Sequence, residues 1–414
     1  MSEWQKIKLR EILEESKIPE SNEDIHKRLS VKLHMGGVFP REVRDTDKIG
    51  STKYYHRKVG QFIYGKQNLH NGAIGIVPEE LDGYQSSSDL PTFDIAEFVN
   101  KNWLYYYFAR KSFYNSLERL SNGTGSKRIK PDELLNIEVS LPPLAEQQKI
   151  AAILTSVDEV IEQTEKIIKQ TETVKKGLMQ QLLTKGIGHS QFKKTPLGKI
   201  PINWKLVTLE EIADKDRNAI KPGPFGSALK KEFYVNKGYK VYGQEQVIPN
   251  DFSKGDYYVD EERYFSLQSF KIKPGDLLIS LVGTYGKIAI VPEDVEPGII
   301  NPRLLKITFD KTIASVKYYK YFMSSKIFYN QLSKYSQGGT MGVINSKTLK
   351  SIYYPCPPLY EQIKIYQTIK SFDNKISHEQ FKLTKLIQLK QGLMQQLLTG
   401  KVRVPIDDNE EVPS

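Results

Sequence analysis

The chain has 414 residues, 60 lysines and arginines against 49 aspartates and glutamates, a formal charge of +11, and a single cysteine. One cysteine excludes a disulfide framework and suits a reducing cytoplasm, while the length allows two or three domains. The longest apolar run, Leu277 to Val282, is the size of a strand rather than of a membrane span. Met1 to Arg10 is polar and has none of the character of a signal peptide. A basic chain with 24 tyrosines suits a polyanion that carries stackable bases.

In chain order, the first elements lie between Trp4 and Leu120. Gln61–Tyr64 and Ala73–Val77 read as strands separated by a glycine- and asparagine-rich turn, and an aromatic helix is expected over Trp103–Leu120. Its Tyr105, Tyr106 and Phe108 are assigned to packing. A glycine loop, Asn122 to Arg128, closes this domain. Pro142 and Pro143 then lead into a segment, Ile150–Leu183, with no proline and one glycine. Its apolar residues step by three and four through Leu154, Val157, Ile161, Ile168, Leu178 and Leu182, flanked by Ile153, Val160, Ile167 and Val174. That spacing predicts a long amphipathic helix of ~50 Å, stopped at Gly186.

The remainder restates the first part. Pro142-Pro143-Leu144-Ala145-Glu146-Gln147 returns as Pro357-Pro358-Leu359-Tyr360-Glu361-Gln362, a shift of 215 (357 − 142). At the same shift Gly177–Thr184 recurs letter for letter as Gly392–Thr399, and Phe113-Tyr114-Asn115 as Phe328-Tyr329-Asn330. Ile76–Glu79 answers Ile290–Glu293 at a shift of 214, while Trp4, Leu9 and Ile12 answer Trp204, Leu209 and Ile212 at 200. The second copy is therefore 15 residues longer near its start (215 − 200).

In that copy Asp276–Val282 and Lys287–Val291 read as strands around Gly283-Thr284-Tyr285-Gly286, with an aromatic helix over Val316–Tyr335. Ile369, Phe372, Ile376, Leu383, Leu386, Leu393 and Leu397 carry the second long helix, which stops at Gly400. If the two long helices pair antiparallel, they hold two domains apart about a pseudo-two-fold axis. Thr164, Thr171, Lys175, Glu379 and Lys390 interrupt the seams, where they would fix register or face a partner.

The expected architecture is α+β: two variable globular domains (1–141 and 189–356), two helical spacers (142–188 and 357–403) and a tail (404–414). Lys27–Lys58 and Lys221–Asp256 share almost nothing, so one framework carries two separate specificities. Candidate DNA contacts lie in these and neighbouring loops, because lysine, arginine, asparagine and glutamine present donors and acceptors to phosphates and base edges. In the first domain they are Lys27, Arg28, Lys32, His34, Arg41, Arg44, Lys53, Arg57, Lys58, Lys66, Gln67, Asn68, His70, Lys127 and Arg128. In the second they are Lys221, Ser227, Lys230, Lys231, Gln244, Gln246, Tyr285, Arg303, Gly338, Gly339 and Thr340.

Catalytic signatures are missing from the sequence. There is no Asn/Asp-Pro-Pro-aromatic motif of amino-methyltransferases, no phosphate-binding Gly-x4-Gly-Lys-Ser/Thr loop, no nuclease carboxylate cluster, and the six histidines are scattered. A non-catalytic reader fits best. A coiled-coil adaptor that binds only proteins is the alternative, but it leaves the divergence of the loops without a purpose.

The repeated Pro-Pro-Leu-x-Glu-Gln entry, the Gly-Leu-Met-Gln-Gln-Leu-Leu-Thr helix end, the Trp-x4-Leu starts and the glycine loops together resemble the specificity subunit of type I restriction-modification systems. The resemblance spans essentially the whole chain. It implies that each domain reads one half of a bipartite double-stranded DNA sequence. It also implies that the chain docks two adenine methyltransferase subunits and ATP-dependent restriction subunits. S-adenosylmethionine, ATP and Mg2+ would belong to those partners, with no cofactor or metal on this chain. Glu146, Gln147, Glu361, Gln362 and the seam residues would form the docking and coiled-coil surface. Gln148–Ala152 differs from Ile363–Gln367, so the two docking surfaces would be unequal.

Overall fold

The computed structural model describes residues 3–45, 47, 50, 52–121, 128–335 and 345–405. It forms two compact units, one of residues 1–166 with 380–414 and the other of residues 167–379. Each is α+β, and each takes part of both long helices.

The same framework is built in both units. In the first, Gln5–Lys8 pairs antiparallel with Glu138–Leu141; in the second, Lys205–Val207 pairs antiparallel with Tyr354–Cys356. The first unit has a four-stranded sheet ordered Leu13–Ser16, Thr92–Ile95, Phe62–Tyr64, Ile74–Ile76. The second repeats that order with Ile220–Pro222, Leu304–Ile307, Leu277–Ser280, Ile288–Ile290. The strands expected around residues 62, 75, 278 and 289 thus occupy the centre and edge of matching sheets. Phe62–Tyr64 and Leu277–Ser280 are buried throughout and the edge strands partly, which explains why these strands read as short apolar runs rather than alternating ones.

The aromatic helices differ from expectation in one way. Each breaks into two: Lys101–Ala109 and Lys111–Ser116 in the first unit, Val316–Met323 and Lys326–Tyr335 in the second. Arg110 is extended at the first break and its guanidinium lies 4.0 Å from the Tyr107 ring centre. At the second break the Ser325 hydroxyl accepts from the Phe328 amide, which restarts the helix. Tyr106 and Phe108 are buried and Tyr105 packs at the edge of the core, as assigned.

The units diverge where the sequences do. The first inserts two antiparallel strand pairs, Leu29–Val31 with Val38–Pro40 and Tyr54–His56 with Gln85–Ser87. The second inserts a further four-stranded sheet, ordered Tyr234–Val235, Tyr258–Val259, Tyr239–Tyr242, Gly298–Ile300. Its last pair is parallel, Lys240 opposite Gly298. This extra sheet accommodates the longer second copy.

The long helices run Leu144–Lys185 and Leu359–Leu397, 42 and 39 residues, or ~60 Å each. They begin directly after the proline pairs, six and ten residues earlier than the periodic runs from Ile150 and Ile369 suggest (150 − 144 and 369 − 359). Both stop before a left-handed glycine, Gly186 (φ 64°) and Gly400 (φ 69°). Within each unit their segments lie antiparallel: Asp158 faces Lys390 in the first, and Lys175 faces Asp373 in the second.

Of the seam residues, Leu154, Leu182, Ile369, Ile376 and Leu397 are buried. Val157, Ile161, Ile168, Leu178, Phe372, Leu383, Leu386 and Leu393 are half-buried. The flanking Val160, Ile167 and Val174 are exposed. The helix ends also enter the globular cores. Ile150, Met394 and Leu398 pack with Leu9 and Trp103, while Leu183, Ile365 and Ile369 pack with Leu209 and Tyr318.

Candidate nucleic-acid interface

The shared motifs prove to be internal fasteners. Glu146 is fully buried, and its carboxylate accepts from Trp4 Nε1 (2.9 Å), from Arg403 Nε and Nη2 (2.7 Å each) and from the Val404 amide (3.3 Å). Burial alone would raise its pKa, but the bonds from Arg403, Trp4 and Val404 outweigh it and hold the carboxyl below its ordinary value. Glu361 repeats the arrangement. It accepts from Trp204 Nε1 (2.9 Å) and the Ile187 amide (3.0 Å), and it lies 2.7 Å from His189 Nε2. Gly186 is required there, since a Cβ would sit 2.4 Å from Glu361 Oε1.

The adjacent glutamines work on backbone. Gln147 accepts from the Asn100 amide and donates to the Pro142 and Phe98 carbonyls. Gln362 accepts from the Ser315 amide and donates to the Pro357 and Ile313 carbonyls. Glu146, Gln147, Glu361 and Gln362 therefore cannot form an outward docking surface, because all four are at most 3 % exposed. They tie each domain to the helix that leaves it.

Two of the polar seam interruptions belong to a second repeated contact. The Tyr106 hydroxyl donates to Asp158 (2.7 Å), which pairs with Lys390 (2.6 Å). In the second unit the Tyr321 hydroxyl donates to Asp373, which pairs with Lys175 (2.5 Å). Thr164 and Thr171 turn their hydroxyls back onto their own helix carbonyls.

The loop residues divide by exposure. Arg57 is 1 % exposed and is a core guanidinium. It donates to Ser86 Oγ, Thr92 Oγ1 and the Ser16 carbonyl at 2.8–2.9 Å, and burial lowers its pKa to about 10. Arg28 is 4 % exposed, near Glu23 and Asp47, with its guanidinium 4.3 Å from the Tyr54 ring centre. Gln246 is fully buried and bonds the Gly243 amide and the Lys254 carbonyl. These three hold loops in place, and the expectation that they face DNA is corrected: a basic or amide side chain reads alike in sequence whether it supports a loop or projects from it. Arg41 is half-buried and paired to Asp47 at 2.5 Å.

Lys27, Lys32, His34, Arg44, Lys53, Lys58, Gln67 and Arg128 are exposed, and Lys66, Asn68 and His70 half-exposed. Lys127 lies outside the described residues with the rest of its glycine loop from 122, as do Gly338, Gly339 and Thr340 of the matching loop Gln337-Gly338-Gly339-Thr340.

In the second unit the candidates converge. Gln244 Nε2 donates to the Val282 carbonyl (2.6 Å), and the Leu281 amide donates to the Arg303 carbonyl (2.9 Å). The Asn301 amide donates to the Tyr242 carbonyl (2.8 Å), and the Gly223 amide to the Leu304 carbonyl (2.9 Å). Four loops, those around residues 223–227, 243–246, 281–286 and 301–303, are thus laced together at one end of the sheets. They carry Lys221, Ser227, Gln244, Tyr285 and Arg303, and Lys230 and Lys231 follow directly. Ser227, Lys230, Lys231, Tyr285 and Arg303 are exposed, a set of cations, a hydroxyl and an aromatic ring, side-chain types that can contact phosphates and base edges. Sequence reading missed Phe225, which is 70 % exposed in the same cluster.

A family model for the type I restriction modification DNA specificity domain matches residues 1–173 and 201–389. The chain belongs to this specificity family. The two matched segments start 200 residues apart (201 − 1), the offset between Trp4 and Trp204. Among relatives of this specificity protein, the type I restriction enzyme MjaVIII specificity subunit of Methanocaldococcus jannaschii is 30% identical over 307 residues, covering 73% of this chain and 70% of the relative. The putative MjaX specificity subunit of the same organism is 29% identical over 385 residues, 92% of this chain and 81% of the relative. In fold, the specificity protein is similar to the crystal structure of the HsdS subunit from Thermoanaerobacter tengcongensis, with TM-score 0.52 and 19% identity over 96% of this chain and 97% of that one. A chain solved in a study of complex assembly and conformational transition of the type I R-M system gives TM-score 0.60 at 18% identity, over 97% and 99% of the two chains.

Proposed function

We propose that this specificity protein is the DNA-reading subunit of a type I restriction-modification complex, with each unit reading one half of a bipartite target. The observation that carries this reading is one framework built twice with unlike insertions. The matching sheets, aromatic helices and Trp–Glu fasteners repeat, while the strand pairs 29–31 with 38–40 and 54–56 with 85–87 have no counterpart in the second unit's extra sheet. A scaffold alone needs no such divergence. Two different half-sites do.

The chemistry then belongs to partners: methyltransferase subunits that use S-adenosylmethionine, and restriction subunits that use ATP and Mg2+. Among the described residues no three His, Cys, Asp or Glu side chains are grouped to hold a metal, and no helix is long and apolar enough to cross a membrane. A cytoplasmic setting, where the DNA is, fits the proposal.

The test is to express the chain with its methyltransferase partner and sequence the methylated bases of the host DNA. One asymmetric bipartite motif is the expected result. Methylation without a motif, or at a single continuous short motif, would refute the reading.

A further inference from the structure

Phe225 is the most exposed large apolar side chain among the described residues, at 70 %. A ring so open to water could sit on a mobile tip and mean nothing, since single exposed apolar residues are common. The loop that carries it is instead fixed on both sides. Gly223 and Pro224 are buried, and the Gly223 amide donates to the Leu304 carbonyl. A Cβ on Gly223 would sit 1.9 Å from the Asn301 carbonyl oxygen, so this stretch lies directly against the Asn301–Pro302 backbone. Downstream, Gly226 turns through a left-handed conformation (φ 62°), Ser227 is exposed, and Leu229 returns to the interior at 7 % exposure. The backbone is anchored and the ring is held out.

Its surroundings indicate what it meets. Lys230 and Lys231 follow within six residues and are exposed, Lys230 lying 3.4 Å from Glu232, and Arg303 is exposed on the turn against which Gly223 packs. Tyr285, 42 % exposed, stands on the loop joined to that turn through Leu281 and the Arg303 carbonyl. An apolar ring raised among cations is poorly suited to an acidic protein surface, where it would be buried beside charge. It suits a duplex, in which phosphates take the cations and a base step offers a flat apolar gap.

We propose that Phe225 is a wedge that enters a base step of the half-site read by the second unit, unstacking it and bending the duplex there. This deepens the reading above and rests on it. Preorganisation is what makes the wedge effective, because the ring loses little freedom on insertion and leaves water as it enters.

The experiment uses the full chain with its methyltransferase partner and a duplex bearing the host's methylated motif. 2-Aminopurine is placed in turn at each adenine in and beside the second unit's half-site except the one that is methylated, which a methyltransferase itself extrudes from the stack. With the natural chain, fluorescence should rise at one step on binding. Phe225→Ala should abolish that rise and weaken specific binding by roughly tenfold or more, within the usual range for losing one base–aromatic stack. Phe225→Leu, still an apolar wedge, should retain much of the rise. A specific footprint with no responding position, or a response unchanged in Phe225→Ala, would overturn the wedge and leave the DNA-reading proposal standing. Unchanged unstacking combined with weaker methyltransferase association in Phe225→Ala would also overturn it, assigning the ring to a protein contact. No specific footprint with the natural chain would remove both.

Discussion

The indole of Trp4 donates to the buried carboxylate of Glu146, 142 residues away, and Trp204 does the same to Glu361, 157 residues away. The separations differ by 15 residues (157 − 142), which is the excess length of the second copy. All of that excess therefore lies between the tryptophan that opens a domain and the glutamate that closes it. Each unit ends up with the same fastening around an interior of different size.

Removing a fastener should cost folding stability and leave partner binding alone. Glu146→Ala removes the acceptor of the Trp4 indole and the carboxylate that Arg403 bonds, which should destabilise the chain by about 2–3 kcal/mol. Denaturant unfolding should show this as a lower midpoint. Glu146→Gln, which preserves shape and one acceptor oxygen, should be the milder change.

The same carboxylate makes a pH prediction. Its folded-state pKa is below the ordinary 4.5, so its stabilisation is fully present above that value and disappears as pH falls through the lower folded value. The thermal midpoint of the natural chain should therefore drop on acidification below about pH 4.5 more steeply than that of Glu146→Gln. Parallel curves would show that Glu146 does not contribute to acid sensitivity.

Arg57 and Arg303 separate loop support from DNA binding. Arg57→Met strands the Ser86 and Thr92 hydroxyls and the Ser16 carbonyl, and should destabilise the first unit by about 2–4 kcal/mol while leaving the salt dependence of DNA binding unchanged. Arg57→Lys cannot reproduce the planar fork and should also destabilise. Replacing Lys230, Lys231 or Arg303 by alanine should instead leave folding intact. Each such change should lower the slope of log affinity against log salt by about one for every phosphate that is no longer neutralised. Filter binding across a salt series distinguishes the two groups.

The Tyr–Asp–Lys contacts fix how the helix segments meet within each unit. Their lysines and aspartates are about a quarter to a third exposed, so each ion pair should be worth only about 0.5–1 kcal/mol. A double-mutant cycle on Asp158→Asn and Lys390→Met should return a coupling of that size. Zero coupling would leave apolar packing as the sole determinant of register.

Much of this organisation was legible in the sequence. The 215-residue repeat, the helices bounded by Pro-Pro and glycine, and the central strands of both sheets are local patterns. What escaped is non-local. Nothing near Glu146 in sequence indicates that its partners are Trp4 and Arg403, so the repeated motif looked like a surface for partners. The second unit's extra sheet depends on Lys240 pairing in parallel with Gly298, and no turn joins them. Arg57 could not be told from Lys58, although one is in the core and the other in solvent. Phe225 left no periodic signal, because its exposure follows from Gly223 packing on Asn301.

The most direct test is exchange of the second unit's variable region together with the sheet strands that carry it. Residues 220–308 would be replaced by the matching segment of a relative with a different target, leaving the Trp204–Glu361 and Trp4–Glu146 fasteners in place. The host DNA would then be sequenced for methylated bases. One half of the bipartite motif should change to the relative's, while the other half and the number of unread bases between them stay as they were. A motif that changes in both halves, or in neither, would contradict the account.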